Sequence, residues 1–154
     1  MTLLETSIID YSYLTQLVGH LSGLAHLRAT QLCSAELAEL ELTPKQFVAL
    51  EFISKNQTIT QKEIAEHIGT TPTVMVNVLD TLSDRGLIER VRSTVDRRRH
   101  SVTLTEAGEE LLPQINDAAA RVEHHLFNES GMSETEWKTL IGLMQKLTQR
   151  EDVS

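Results

Sequence analysis

The sequence predicts a mainly α-helical (α+β) chain in which a compact central unit lies between two long helical regions. Two short amphipathic segments near the middle of the chain begin with helix-capping residues, and only a glycine and two threonines separate them. Two β-prone segments with a basic stretch between them follow directly. Two helices joined by a tight turn and followed by a β-hairpin are the plan of a winged helix-turn-helix.

The first helix of this motif is predicted to begin after Thr60. Thr60 is a favourable N-cap residue, and Glu63 three positions later completes a capping box. Gly69 is placed to end the helix. The apolar residues between them recur at helical spacing: Ile64, Ala65 and Ile68.

The second helix is predicted to start at Thr71 and to end before Gly86. Thr71 can cap the helix, and Pro72 occupies the first position, where its missing N–H costs no hydrogen bond. Gly86 suits the left-handed position just past a helix end. The predicted inner face consists of Val74, Val78, Leu79 and Leu82. The predicted outward face consists of Thr73, Val76, Asn77 and Asp80.

This outward face carries side chains suited to reading DNA. Threonine hydroxyls can bond phosphates or base edges, asparagine can pair with adenine, and valine can contact a thymine methyl group. Helix capping is the alternative role for Thr71 and Thr73. Asp80 would repel phosphate, which favours a structural pairing with a nearby arginine. The candidate reading residues are therefore Thr70, Thr71, Thr73, Val76 and Asn77.

The hairpin is predicted to have a basic tip. Its strands are expected at Leu87–Arg92 and in residues 100–105, where Val102 and Leu104 alternate with polar neighbours. Residues 93–99 between them read Ser-Thr-Val-Asp-Arg-Arg-Arg. A solvated loop is the usual interpretation of such a charge run. After a helix-turn-helix, contact with phosphates or with a narrow minor groove is favoured instead.

Three runs, in this order and spacing, resemble the MarR family of bacterial transcriptional regulators. They are Gly69-Thr-Thr-Pro-Thr, then Leu82-Ser-Asp-Arg-Gly-Leu-Ile-Glu-Arg, then Asp96-Arg-Arg with Leu104-Thr-Glu-Ala-Gly108. The resemblance covers nearly the whole chain. It implies a repressor of a pseudo-palindromic double-stranded DNA operator, controlled by a small aromatic or anionic effector. It also implies that Asp96 orients Arg98 for the minor groove, while Arg97 and Arg99 contact phosphates.

Long helices are predicted on both sides of the winged unit. Residues 8–40 form the first helical stretch, and a last helix begins at Ser133 with a capping box completed by Glu136. Apolar stripes on terminal helices are expected to be buried against another surface, because large apolar patches are rarely left exposed to water. The resemblance implies that these helices interdigitate in a homodimer. The interface residues expected are Leu14, Leu17, Leu21, Trp137, Leu140, Ile141, Met144 and Leu147.

The rest of the chain completes one compact subunit. Thr43, Pro44 and Gln46 start a helix by the same capping pattern. Thr105 is expected to cap a long helix, in which Pro113 predicts a kink or an interruption. The expected regions are 1–40 for N-terminal dimerisation, 41–105 for DNA binding and 106–154 for C-terminal dimerisation.

Several polar residues on the long helices have two interpretations each. His20, His26 and Arg28 could line an effector pocket or could be surface residues. The lone Cys33 is expected to be a small buried residue rather than a redox sensor. A metal site at His125 and its i+4 carboxylate is disfavoured, because the spacing supplies no further ligand. No metal and no cofactor are therefore expected.

Charge distribution is compatible with DNA binding despite a net charge of −8. Six arginines lie in residues 85–100 against two acidic residues, and the local charge governs phosphate binding. No membrane-spanning run, secretory n-region or cysteine pair occurs, so a cytoplasmic protein is expected. Catalytic motifs are absent, which disfavours an enzyme. The alternative function is a dimeric protein-interaction module of the same fold with little specific DNA affinity.

Overall fold

The computed structural model describes residues 12–56, 58–92 and 100–148. The expected wing contacts Asp96, Arg97, Arg98 and Arg99 lie outside the described residues. The described elements confirm the predicted mainly helical winged fold, and short 3-10 turns at Leu14–Gln16 and Ala38–Leu40 flank the first helix. In chain order they are α1 (Val18–Glu36), α2 (Pro44–Lys55), α3 (Gln61–Ile68), α4 (Pro72–Asp84), β1 (Ile88–Arg92), β2 (His100–Leu104), α5 (Glu106–Ser130) and α6 (Glu134–Thr148).

Threonine caps define where four of these helices begin. The side-chain oxygens of Thr43, Thr60, Thr71 and Thr105 each accept a hydrogen bond from the backbone N–H three residues later. Such a cap stabilises a helix by roughly 1 kcal/mol. Gly69 ends α3 with φ 71°, and Gly86 follows α4 with φ 69°. These helix boundaries were all predicted from the sequence.

One hydrophobic core lies beneath the helix-turn-helix, and α4 contributes to it with a stripe that differs from the predicted one. Met75, Leu79 and Leu82 are fully buried, whereas Val74 and Val78 are only half-buried. The inner face is therefore rotated toward Met75, which the prediction omitted. Methionine has an unbranched, flexible side chain that fills irregular gaps in a core.

The two long helical regions also differ from prediction in detail. The described part of the first stretch is a single 19-residue helix, α1, between two 3-10 turns. Conversely, α5 runs for 25 residues without interruption through Pro113. Pro113 is exposed, so water can satisfy the backbone carbonyl that loses its partner. Ile115, Ala118 and Val122 pack α5 onto the rest of the chain beyond that point.

Ion pairs join α1 to α5. The guanidinium of Arg28 lies 2.5 Å from the Glu129 carboxylate, and that of Arg121 lies 2.5 Å from the Glu36 carboxylate. His125 lies 3.6 Å from the same Glu36 carboxylate. The hydrogen bond from Arg28 lowers the pKa of Glu129. Exposed pairs of this kind contribute little stability, but together they favour one register of the two helices.

Cys33 lies on α1 against the core. It is partly buried, and burial raises the pKa of its thiol. A raised pKa reduces the thiolate fraction that reacts with oxidants. This environment agrees with the predicted structural role of Cys33.

Apolar side chains remain exposed along α1 and α6. In α6 no described residue is buried, and Leu143 and Leu147 are more than half exposed. In α1, Leu24 and Leu27 are at least half exposed. Among the described helices, none has the length and apolar character needed to cross a membrane.

Candidate nucleic-acid interface and the adjoining cavity

The outward surface of α4 presents the predicted reading residues. Thr73 and Asn77 are exposed and lie one helical turn apart on the same side of α4, and Val76 is partly exposed beside them. Among the described residues, no group is hydrogen-bonded to the Asn77 side-chain amide. That amide can therefore form two hydrogen bonds to an external partner such as an adenine edge.

Threonines mark the N-terminal end of this surface. The Thr71 hydroxyl accepts a hydrogen bond from the Val74 N–H at 3.3 Å and so caps α4. Its side chain is exposed, and capping uses only one of the lone pairs of a hydroxyl. Thr70 is half-buried, and its backbone N–H is bonded to the Ala65 carbonyl at 3.0 Å. Thr70 is thereby fixed to the end of α3.

Asp80 has the structural partner that the sequence predicted. The Arg90 guanidinium on β1 donates to the Asp80 carboxylate at 2.5 Å. This pairing neutralises the acidic charge on the outward side of α4. It also joins α4 directly to β1 in the stem of the wing.

The stem of the wing is an antiparallel pair with a defined register. Ile88 pairs with Leu104 at one end and Arg92 pairs with His100 at the other. The Val102 N–H donates to the Ile59 carbonyl at 2.9 Å, which attaches β2 to the segment before α3. Residues 93–99, which carry the predicted basic tip, follow β1 in the sequence and lie outside the described residues.

The glycine at the end of the Leu104–Gly108 run is required by close packing. A Cβ atom at this position would lie 2.1 Å from the Leu87 carbonyl oxygen, a distance that no real contact allows. The Thr105 hydroxyl donates to the Gly86 carbonyl at 2.6 Å in the same region. The start of α5 is thus packed directly against the backbone that leads into β1, and only glycine fits there.

A cavity of about 820 Å³ adjoins the turn between α3 and α4. His26 and Thr30 reach it from α1, and Lys45 lies at the start of α2. Phe52 and Val78 are among its apolar lining residues. The cavity therefore borders α1 on one side and the helix-turn-helix on the other.

The structure brings one of the three predicted effector residues to this cavity. His26 lines it, whereas His20 and Arg28 are not among the described residues that do. Arg28 is instead paired with Glu129. Lys45 was not predicted as a cavity residue, because its position next to a helix cap indicates no cavity.

Lys45 is the one lysine or arginine among the described residues that line the cavity. This described lining also holds His26 and His67 and no carboxylate. The Nδ1 atom of His67 lies 2.8 Å from the Glu63 carbonyl oxygen, so Nδ1 carries a proton and donates. The His67 ring also contacts Phe52, with 5.5 Å between ring centroids. Sequence reasoning did not single out His67, because its access to the cavity depends on the packing of α2 against α3.

Within the described residues, groups able to hold a metal ion are absent. His125 and Glu129, the pair already disfavoured as a metal site, each lie against α1, close to Glu36 and Arg28 respectively.

A winged helix-turn-helix with an exposed polar surface on its second helix is the arrangement found in helix-turn-helix transcriptional regulators. The model of the MarR family matches residues 42–100. The transcriptional repressor CouR, in a structure bound to a 23-mer DNA duplex, shares 30% sequence identity and a TM-score of 0.82, and the match covers 93% of this chain and 100% of CouR. The chain belongs to the MarR family.

Two further relatives extend the comparison. A "putative transcriptional regulatory protein for hcr operon" from Thauera aromatica is 30% identical over 110 residues, which is 71% of this chain and 65% of that protein. The chain thus spans slightly less than two thirds of this curated relative. CouR from Rhodococcus jostii RHA1 bound to p-coumaroyl-CoA has the same fold, with TM-score 0.79 and 20% identity over 92% of this chain and 98% of CouR. The family is one of transcriptional regulators, which confirms the prediction against an enzyme.

Proposed function

We propose that this protein is a homodimeric repressor that binds a pseudo-palindromic DNA operator and is released by a small anionic ligand. The observation that carries the proposal is the exposed pair of Thr73 and Asn77 on α4, one turn apart and ready to contact base edges. The repressor CouR, which has the same fold, is bound to a DNA duplex in its structure. The protein would bind this DNA in the bacterial cytoplasm.

The exposed apolar stripes support the dimer. The residues proposed for its interface lie on or next to α1 and α6, which flank the DNA-binding unit of residues 41–105. Large exposed apolar patches on a small protein mark an interaction surface. A second copy would cover both stripes at once in a two-fold arrangement. Two copies would also present two α4 helices, one to each half of a pseudo-palindromic operator.

The cavity supports control by a ligand. It is lined by Thr70 and Val78, which belong to the turn and the recognition helix, and by His26 on the long helix α1. A ligand that fits one relative arrangement of these elements better than another shifts the protein toward that arrangement. The ammonium group of Lys45 fits a carboxylate, and Phe52 and Val48 fit an apolar body.

Selection of DNA by the purified protein tests the function. Genomic fragments that the protein retains, sequenced and aligned, are expected to share a pseudo-palindrome with half-sites about one helical turn apart. Retention of all fragments equally, or of none, would favour the alternative, an interaction module with little specific DNA affinity.

Asn77→Ala is expected to relax base preference without abolishing DNA binding. The exposed amide reads a base edge, so its removal costs roughly 1–3 kcal/mol at one base pair. Affinity for random DNA, which depends on phosphate contacts, is expected to change little. Fluorescence anisotropy on operator and random duplexes measures both values. Asn128→Ala, the same change at an exposed position of α5, is the control and is expected to leave both affinities unchanged.

Aromatic acids are expected to weaken operator binding through the cavity. A panel of benzoate-like acids is tested for a shift in melting temperature and for loss of operator affinity. Lys45→Met is expected to raise the acid concentration needed for both responses by about tenfold, because it removes a charged partner of the anion. Lys62→Met, at an exposed position of α3, is the matched control. If no acid in the panel alters melting or operator affinity, the proposed anionic ligand is wrong.

A further inference from the structure

The junction between α1 and α2 is held in a defined conformation. Leu37 and Leu42 at its two ends are buried in the core, with 1% and 5% exposure. Between them lie the 3-10 turn Ala38–Leu40 and Glu41. Glu41 has φ 53°, and it is the one non-glycine residue with positive φ in the part of the chain that the structure describes. A side-chain-bearing residue adopts this conformation only when its surroundings hold it there.

Arg85 supplies part of that support from the other side of the fold. It is the C-cap residue of α4, the recognition helix. Its Nη1 atom donates to the Glu41 carbonyl at 2.7 Å, and its Nη2 atom donates to the Leu40 carbonyl at 3.0 Å. These carbonyls lie at the C-terminal end of the 3-10 turn, where backbone oxygens lack helical partners. The planar guanidinium can satisfy both because its donors are fixed in a fork.

We propose that Arg85 is a positioning residue that sets the orientation of the recognition helix relative to the long helix α1. It joins the end of α4 to the backbone through which α1 continues into the DNA-binding unit. In a dimer built on α1 and α6, that orientation determines the distance between the two α4 helices. Arg85 therefore determines which half-site spacing the protein accepts. The inference rests on the proposed dimeric DNA-binding function.

A direct phosphate contact is the competing role for Arg85, since it belongs to the arginine-rich segment of residues 85–100. The two hydrogen bonds to backbone carbonyls already engage both terminal nitrogens of its guanidinium. The two roles differ in a measurable way. Loss of one phosphate contact reduces the slope of log affinity against log salt by about one, whereas loss of a positioning contact leaves it unchanged.

The experiment compares the parent, Arg85→Ala and Arg85→Lys on three duplexes. One duplex is the sequence that the parent selects from a randomised pool, and in the others the half-sites are one base pair closer or farther apart. The parent is expected to prefer the selected spacing. Arg85→Ala is expected to bind it about tenfold more weakly and to lose most of its preference over the shifted duplexes, at an unchanged salt slope. Arg85→Lys retains the charge but not the fork, so an intermediate loss of spacing preference is expected.

Each outcome has a defined meaning. If both variants keep the spacing preference of the parent, or if Arg85→Ala flattens the salt slope by about one, the positioning role is overturned. Melting temperature and dimer mass are measured for each variant, and Arg85→Lys decides the question if Arg85→Ala does not fold. If the parent itself has no preferred spacing, the proposed function fails and the inference fails with it.

Discussion

Leu140→Asp is expected to convert the protein from a dimer into a monomer that no longer occupies its operator. Leu140 lies in the apolar stripe of α6, beside the exposed Ile141 and Met144. In the proposed interface the new carboxylate would be buried without a partner, which costs about 3–5 kcal/mol. Because both copies carry the change, the dimer loses this stability twice. A monomer contacts one half-site only, so operator affinity falls by orders of magnitude.

Sedimentation at micromolar concentration measures the assembly directly. The parent is expected at twice the 17.3 kDa chain mass, and the variant at the mass of one chain. Thr139→Asp, next to Leu140 but on a different side of α6, is the matched control and is expected to remain dimeric. A stable dimer of the Leu140→Asp protein would show that the α6 stripe is not the interface.

Arg98→Ala is expected to weaken binding to every DNA sequence. The family resemblance implies that this arginine enters the minor groove, and an inserted arginine contributes through the negative potential there. Its loss is expected to reduce affinity for operator and random duplexes together, by about tenfold or more, and to flatten the salt dependence by about one. Asp96→Ala is expected to have a smaller effect of the same kind, because the arginine remains but is less well oriented.

Anisotropy titrations of these variants at several salt concentrations separate the wing from the recognition helix. Lys138→Ala, on exposed α6, removes one positive charge elsewhere and is the control. If Arg98→Ala binds both duplexes as the parent does, the wing tip is not a DNA contact. The arginine run would then be a solvated loop.

Helix boundaries and the ionic partner of Asp80 were predictable because they depend on short-range chemistry. A threonine and a glutamate or glutamine three residues later cap a helix reciprocally, since the side chain of each accepts a hydrogen bond from the backbone N–H of the other. Thr43 and Thr60 begin their helices in this way. Asp80 lies on a surface that would face phosphate, so a basic partner was expected for its carboxylate, and Arg90 is that partner. The family resemblance then placed these elements in order.

Side-chain placement between elements was less predictable. Periodicity placed Leu79 and Leu82 correctly on the inner face of α4, but Met75 is buried there in place of Val74. Pro113 was expected to kink or interrupt α5, and the helix is not interrupted there, with buried residues on both sides of the proline. His67 and Lys45 reach the cavity only because α1, α2 and α3 meet there. Likewise, the contacts of Arg85 span more than 40 residues of sequence.

The mass of the protein–operator complex tests the central claim most directly. Sedimentation equilibrium of the parent with a fluorescent duplex that it has selected should give one duplex with two copies of the 17.3 kDa chain, and an unselected duplex of equal length should remain free at the same protein concentration. Binding of one chain, or equal binding to both duplexes, would contradict a homodimeric regulator that recognises a two-half operator.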